Sequence, residues 1–281
     1  MIKLIIHGGF FSESSQSQET KIAKQQALEH VVKKSYDFLK SNTALQTVVY
    51  ASELLENDEL FNAGIGSQIQ SDGKIRMSAS IMDGASKRFT GVINIEDVKN
   101  PIRVAEKLFT YEDRVLGGEG ATDFARKNGF EKFSTELPQR RLEYDAKLKS
   151  NRLGTIGCVA LDAKGNLAAA TSTGGKGFEM VGRISDSATT AGNYANTYCA
   201  VSCTGVGEDI VSAAVATKIV TRVTDAMPIK QAFEKTFAEL KEFDGFAGAI
   251  AIDKAGNVYH QDSHPMMVFA SYDGETLEVF N

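Results

Sequence analysis

Cysteine is scarce in this chain: Cys158, Cys199 and Cys203 are all it has in 281 residues. An odd number in no zinc-ligand spacing excludes a disulfide framework and a zinc centre, and points to reduced thiols in a cytoplasmic setting. Histidine is nearly as rare, and His7, His30, His260 and His264 form no recognisable Ser/His/Asp arrangement. Nowhere does the sequence approach the roughly 20 apolar residues of a membrane span. The opening MIKLIIHGGF has a short apolar run before a histidine and two glycines, too little for the core of an export signal. Long basic runs are missing, and 36 acidic against 31 basic residues give a formal charge of −5, which argues against nucleic-acid binding. What remains is an ordinary globular chain, 42% hydrophobic, whose expected partner is a small molecule or peptide.

The hydrophobic pattern gives the elements. KLIIHGG reads as a short buried strand ending in a glycine turn. Residues 19–41 place Ile22, Ala23, Ala27, Val31, Val32, Tyr36 and Leu39 at helical spacing, and a second helix begins near Ala44. LFNAGIGSQIQSDGKIRMSASIMDG alternates around an SDGK turn, which predicts two antiparallel strands. NPIRVAEKLF opens a helix with Pro101 in its first turn, and EGATDFARKNG is another, stopped by Gly129. Residues 134–153 are polar without sustained periodicity and read as an exposed connector. GTIGCVALDAKGNLAAATSTGG and GFAGAIAIDKAGNVYHQDSH share one grammar: two hairpins, turned at Asp162/Gly165/Asn166 and Asp253/Gly256/Asn257. GEDIVSAAVATKIVTRV and PIKQAFEKTFAELKEF are amphipathic helices between them. Strands clustered apart from helices predict an α+β fold, antiparallel sheet layers covered by helices.

The first hairpin opens on Thr155 and ends on Thr173. A threonine hydroxyl needs a base to become a nucleophile, and the histidines supply no pattern for one. A chain cut immediately before Thr155 would supply it, because the freed α-amine, with a pKa of roughly 7.7–8.0, sits on the same residue.

Five blocks in order, HGG, LFNAGIG, GTIGCVALDAKGNLAAATSTGG, GRISDSA and AVSCTGVGE, resemble those of the plant-type L-asparaginase and isoaspartyl aminopeptidase family of N-terminal-nucleophile hydrolases. The resemblance implies a four-layer αββα sandwich of two antiparallel sheets flanked by helices. It implies self-cleavage between Gly154 and Thr155, giving an α subunit of residues 1–154 and a β subunit of 155–281. Thr155 is then the nucleophile, Thr173 its hydrogen-bonding partner, and Asn62 the residue that steadies the free amine. Arg183 and Asp186 grip the α-carboxylate and α-amine of the substrate, and Thr204 and Gly205 form the oxyanion site. The segment LLENDELFNAGIG resembles a loop that binds a structural sodium ion through the main-chain carbonyls of Leu55, Glu56, Asp58, Phe61, Ala63 and Ile65. No organic cofactor and no catalytic metal are implied. The expected substrates are L-asparagine and β-aspartyl dipeptides, processed through a β-aspartyl-threonine intermediate. The expected assembly is a homodimer of processed protomers, a heterotetramer of chains, in the cytoplasm.

The sequence departs from the family pattern around the pocket. Ser185 stands in a glycine's place, the segment after Asp186 is shorter and lacks a proline, and Lys176 and Glu179 add charge to the loop before Arg183. Phe10 and Phe11 follow the first glycines, and the connector is short, which predicts slow self-cleavage. Alternative readings are a glycosylasparaginase-like amidase, a threonine endopeptidase, or an uncleaved binding protein without catalysis.

Overall fold

The computed structural model describes residues 1–11, 17–146, 154–264 and 266–281. Its strands, in chain order, are β1 (Lys3–Phe10), β2 (Met77–Asp83), β3 (Arg88–Ile95), β4 (Val115–Gly117), β5 (Thr155–Leu161), β6 (Leu167–Thr173), β7 (Asn193–Ala195), β8 (Cys199–Gly205), β9 (Ala247–Asp253), β10 (Val258–Asp262), β11 (Met267–Tyr272) and β12 (Leu277–Val279). The helices are α1 (Gln18–Leu39), α2 (Ala44–Glu56), α3 (Pro101–Lys107), α4 (Gly118–Lys127), α5 (Pro138–Asp145), α6 (Gly207–Ala213), α7 (Val215–Thr224) and α8 (Ile229–Lys241). Among the described residues one sheet runs β12-β11-β1-β5-β6-β2-β3-β4 and the other β10-β9-β8-β7. All pairings are antiparallel except β3 with β4. Helices α1 to α4 pack against the larger sheet and α7 and α8 cover the smaller one, so the layers are helix, sheet, sheet, helix. This is the expected α+β sandwich.

Because β5 and β6 are covered on both faces, their sequences show apolar runs rather than alternation, and every residue of both is buried. The two hairpin turns form as their shared grammar predicts. Asp162 Oδ1 accepts from the amides of Lys164 and Asn166, each at 2.9 Å, and Asp253 Oδ1 does the same for Ala255 and Asn257 at 2.9 and 3.0 Å. Gly165 and Gly256 take φ of +81° and +84°, which glycine adopts without strain. The same local code thus serves both sheets. Helix α2 starts on a capping box, Thr43 accepting from the Gln46 amide while Gln46 accepts from the Thr43 amide. Among the described residues no helix is long and apolar enough to cross a membrane.

Several boundaries differ from the sequence reading. β1 continues through both glycines to Phe10, with an irregularity between His7 and Phe10. The SDGK turn forms, but residues 67–71 do not pair with the strand beyond it. Three of them bond instead to the segment after β6: Gln68 N–H to Gly174 O, Phe178 N–H to Ile69 O and Ser71 N–H to Glu179 O. β2 begins at Met77 and pairs with β3 across a later turn. The single helix expected from 207 breaks at Ala214, whose φ is +50°, because the Ala216 amide leaves the helix to bond Ala191 O at 2.8 Å.

The exposed connector also needs correction. Residues 138–145 form α5, with Pro138 in its first turn, and its Arg140 is buried and donates to Gly66 O at 3.2 Å. Arg141 donates to Gly73 O, Tyr144 to Ser71 O, and the Tyr144 ring stacks on Phe178 at 5.2 Å. The helix is held by polar groups reaching backbone carbonyls, which is why no apolar period marks it. Residues 147–153 of that connector lie outside the described residues.

Candidate active site

Register places the two threonines. In the β5–β6 pairing Thr155 lies directly opposite Thr173, and the Thr155 hydroxyl donates to Thr173 Oγ1 at 3.2 Å. Both side chains are buried. The chain then turns through Gly174 and Gly175, whose amide donates to Thr173 Oγ1 at 3.3 Å. A side chain on Gly174 would overlap Ser67, so only glycine lets this turn lie against the loop after α2.

Asn62 comes from that loop. Its side-chain amide donates to Gly175 O at 2.5 Å, and its Oδ1 is buried with no hydrogen-bond partner among the described residues. Gly154 lies against it, a built Cβ there meeting Asn62 Cβ at 3.1 Å. The Asn62 side chain therefore stands beside the Gly154–Thr155 bond with a free acceptor.

Behind Thr155 lies a network the sequence reading did not find. His7 is fully buried in β1, with Nδ1 2.9 Å from Thr155 O and Nε2 2.9 Å from Ser202 Oγ. A carbonyl can only accept, so Nδ1 carries the proton and Nε2 accepts from the Ser202 hydroxyl. Ser202 in turn sits 2.6 Å from Thr171 Oγ1. Burial pushes the His7 pKa down to about 3, against the raising effect of the Thr155 carbonyl, so the ring is neutral near physiological pH. Its partners are 148 and 195 residues away in the chain, which no local pattern reveals.

Arg183, Ser185 and Asp186 line one pocket with Thr155, Thr173 and Gly205. Arg183 does not pair with Asp186. Its Nε and Nη2 donate to the two carboxylate oxygens of Glu208 at 2.8 and 2.9 Å, leaving the Nη1 edge of the guanidinium uncommitted to that pair. This fork holds the Glu208 carboxyl down at about 2. Asp186 is buried, its Oδ2 lacks a hydrogen-bond partner among the described residues, and desolvation pushes its pKa up to about 7, with Arg183 opposing. Ser185 Oγ is likewise buried and unpartnered. A Cβ on Gly207 would come 2.8 Å from Arg183 Nη2 and 2.9 Å from Asp186 Oδ1, so this glycine admits both charged groups.

Thr204 and Gly205 end β8, so the smaller sheet delivers them to the edge where the larger sheet ends in Thr155 and Thr173. Thr204 Oγ1 is fully buried and has no hydrogen-bond partner among the described residues, and Gly205 has φ +140° with Phe246 O and Ala247 Cα packed where a side chain would stand. Buried polar oxygens are normally satisfied; among the described residues Ser185 Oγ and Asp186 Oδ2, which line the pocket, and Asn62 Oδ1 and Thr204 Oγ1, from residues next to its lining, lack partners.

A family model described as asparaginase matches residues 1–149 and 135–280 of this chain. The chain belongs to this asparaginase family. It is 43% identical over 300 residues to the isoaspartyl peptidase/L-asparaginase of Synechocystis sp., covering 99% of this chain and 91% of that protein. It is 44% identical over 296 residues to the protein of the same name from Nostoc sp., covering 98% and 93%. The isoaspartyl peptidase of Escherichia coli is 35% identical over 281 residues, covering 91% of this chain and 88% of its own. The chain is a hydrolase of the asparaginase type.

The proposed sodium loop of this asparaginase family member takes in the end of α2 and the segment after it. Leu55 O, Asp58 O and Ala63 O accept backbone amides, from Asp58, Phe61 and Gly66 at 3.2 to 3.3 Å. Glu56 O and Phe61 O lie where side chains on Gly64 and Gly66 would stand, so only glycine admits these carbonyls. With Ile65 O these make the set of six. Neutral carbonyl oxygens are the donor type that suits a hard cation. The Glu56 carboxyl points elsewhere, accepting from Ser172 Oγ at 2.6 Å and the Ile102 amide at 3.1 Å, and ties this loop to the residue before Thr173.

Proposed function

We propose that this chain is an autoprocessing amidohydrolase that releases L-aspartate from β-aspartyl dipeptides and from L-asparagine. The observation that carries the reading is the Thr155–Thr173 hydroxyl pair, in register at the mouth of a pocket that also holds a guanidinium and a buried carboxyl.

Maturation begins when Thr155 Oγ attacks the carbonyl carbon of Gly154. The peptide C–N bond breaks, the nitrogen takes the hydroxyl proton, and an ester links Gly154 to Thr155. Water splits that ester, leaving a carboxylate on Gly154 and a free amine on Thr155. This amine serves as base for its own hydroxyl, and Asn62, whose side chain lies against Gly154, accepts a hydrogen bond from it through Oδ1.

In turnover Thr155 Oγ attacks the side-chain carbonyl of asparagine or the isopeptide carbonyl of a dipeptide, and its proton passes through the amine to the leaving nitrogen. Ammonia or an amino acid departs. Water, deprotonated by the same amine, then hydrolyses the β-aspartyl ester. Thr204 Oγ1 and the Gly205 amide serve the oxyanion, a contribution of about 10²–10³ in rate per donor. Arg183, with Ser185 beside it, binds the α-carboxylate, and Asp186 binds the α-ammonium. Thr173 holds the hydroxyl of Thr155 in place. His7 acts on Thr155 from behind as a positioning residue.

A sodium ion on the carbonyls of Leu55, Glu56, Asp58, Phe61, Ala63 and Ile65 would supply rigidity rather than chemistry, stiffening the loop that carries Asn62. The family resemblance leads us to a homodimer of processed protomers. Three buried free thiols support a reducing, cytoplasmic setting.

The test is intact-mass analysis during prolonged incubation, beside assays of ammonia from asparagine and aspartate from β-Asp-Leu. Wild type is expected to give two polypeptides divided before Thr155 and to turn over both substrates, while Thr155→Ala does neither. Full activity from an unbroken chain would overturn the reading.

A further inference from the structure

Arg183 and Asp186 account for the two charges on the aspartyl half of any substrate. Lys176 is left over. It lines the same pocket as Thr155 and springs from the turn whose Gly175 amide donates to Thr173 Oγ1, so its backbone is one residue from a group that touches the threonine pair. Its Nζ lies 3.0 Å from Glu208 Oε1, the oxygen that also accepts from Arg183 Nε at 2.8 Å.

That pairing does not explain the lysine. Glu208 is already neutralised by the two-pronged guanidinium, and the Lys176 side chain and Glu208 are each about half exposed, at 46% and 50%. Ion pairs so exposed contribute little to stability. An ammonium on a flexible stem has three donors, and a shared carboxylate oxygen occupies one.

We infer that Lys176 forms a leaving-group subsite that takes the free carboxylate of the amino acid released from a β-aspartyl dipeptide. Asparagine and a β-aspartyl dipeptide present the same aspartyl half. They differ at the scissile nitrogen, which in the dipeptide bears a residue with its own carboxylate, one carbon away. Once Arg183 and Asp186 hold the aspartyl half, that carboxylate is the remaining charge on the substrate, and Lys176 is the remaining cation lining the pocket. Removing Lys176 also leaves Glu208 facing the same carboxylate without its second counter-charge, so loss of attraction and gain of repulsion act together.

The inference rests on the hydrolase reading and has its own test. Mature wild type, Lys176→Met and Lys176→Arg are compared on β-Asp-Leu and on β-Asp-leucinamide, which lacks only the free carboxylate, with asparagine as a third substrate. The quantity read is the ratio of kcat/KM for acid over amide. Lys176→Met is expected to lower this ratio about three- to tenfold relative to wild type, the worth of one charge-assisted contact in a partly solvated site. Lys176→Arg is expected to retain most of it, and added salt to lower the wild-type ratio toward that of the methionine variant. An unchanged ratio in Lys176→Met overturns the subsite. A variant slowed equally on acid and amide also overturns it, assigning Lys176 to the support of Glu208. Failure of wild type on all three substrates would instead refute the hydrolase reading, and the subsite with it.

Discussion

On the proposed reading, Asp186 decides by its protonation whether the pocket can hold an ammonium. Burial raises its pKa to about 7, so in the free enzyme it becomes charged over the same range in which the Thr155 amine, at roughly 7.7–8.0, becomes neutral. Productive binding and attack need both changes, each a deprotonation. The logarithm of kcat/KM for asparagine is therefore expected to fall with a slope approaching two below about pH 7, and Asp186→Asn to reduce that slope to one, with kcat/KM lowered about 10- to 100-fold. A pH series on both forms checks this; a slope of one in wild type would remove Asp186 from the titrating pair. The same shift acts on folding. The native carboxyl keeps its proton up to about 7 while the unfolded one releases it near 3.8, so the stability due to this group declines as pH rises between those values. An ammonium in the pocket would reverse that loss.

At the level of elements, the β5–β6 hairpin is a positioning device as much as a carrier of residues. Gly157 lies across from His7 on one side and Thr171 on the other, and a side chain there would overlap His7 Nε2 and Ser202 Oγ. Gly157→Ala is expected to cost about 1–3 kcal/mol through overpacking and to slow self-cleavage by shifting the Thr155 carbonyl. Gly165→Ala, at the far turn with open space around it and φ of +81°, is expected to cost stability through strain while leaving the cleavage rate near that of wild type. Thermal melts and a timed denaturing gel separate the two. This hairpin was legible in the sequence because its turn is a local code and its two threonines mark its ends. The His7–Ser202–Thr171 network was not, since three strands distant in sequence make it. Nor was α5, whose Arg140, Arg141 and Tyr144 dock by reaching carbonyls and leave no apolar stripe. The break at Ala214 has no residue signal at all, because a hydrogen bond from Ala216 to another segment imposes it. In the pocket the residue types of Arg183 and Asp186 could be read, but the fork to Glu208 could not.

Over the whole molecule, the two products that the proposed cleavage would give are interleaved in one sheet. β1 belongs to the first product, yet it lies between β11 and β5 of the second, and β2 of the first pairs with β6 of the second. The stack of Tyr144 on Phe178 joins them again at the edge. Cutting one bond is therefore expected to give two bands on a denaturing gel and a single species by native mass spectrometry, without release of either product. Separation of the two under native conditions would mean that the sheet order is wrong.

The interleaving also changes the molecularity of assembly. The uncut chain regains its sheet as a first-order process, whereas after scission strand β1 must find its place between two strands of another molecule. Recovery from denaturant should then fall with dilution for the processed protein and stay constant for the Thr155→Ala precursor. Maturation on this view is a one-way passage: the bond surrendered to arm the threonine is the one that let the polypeptide return unaided from the unfolded state.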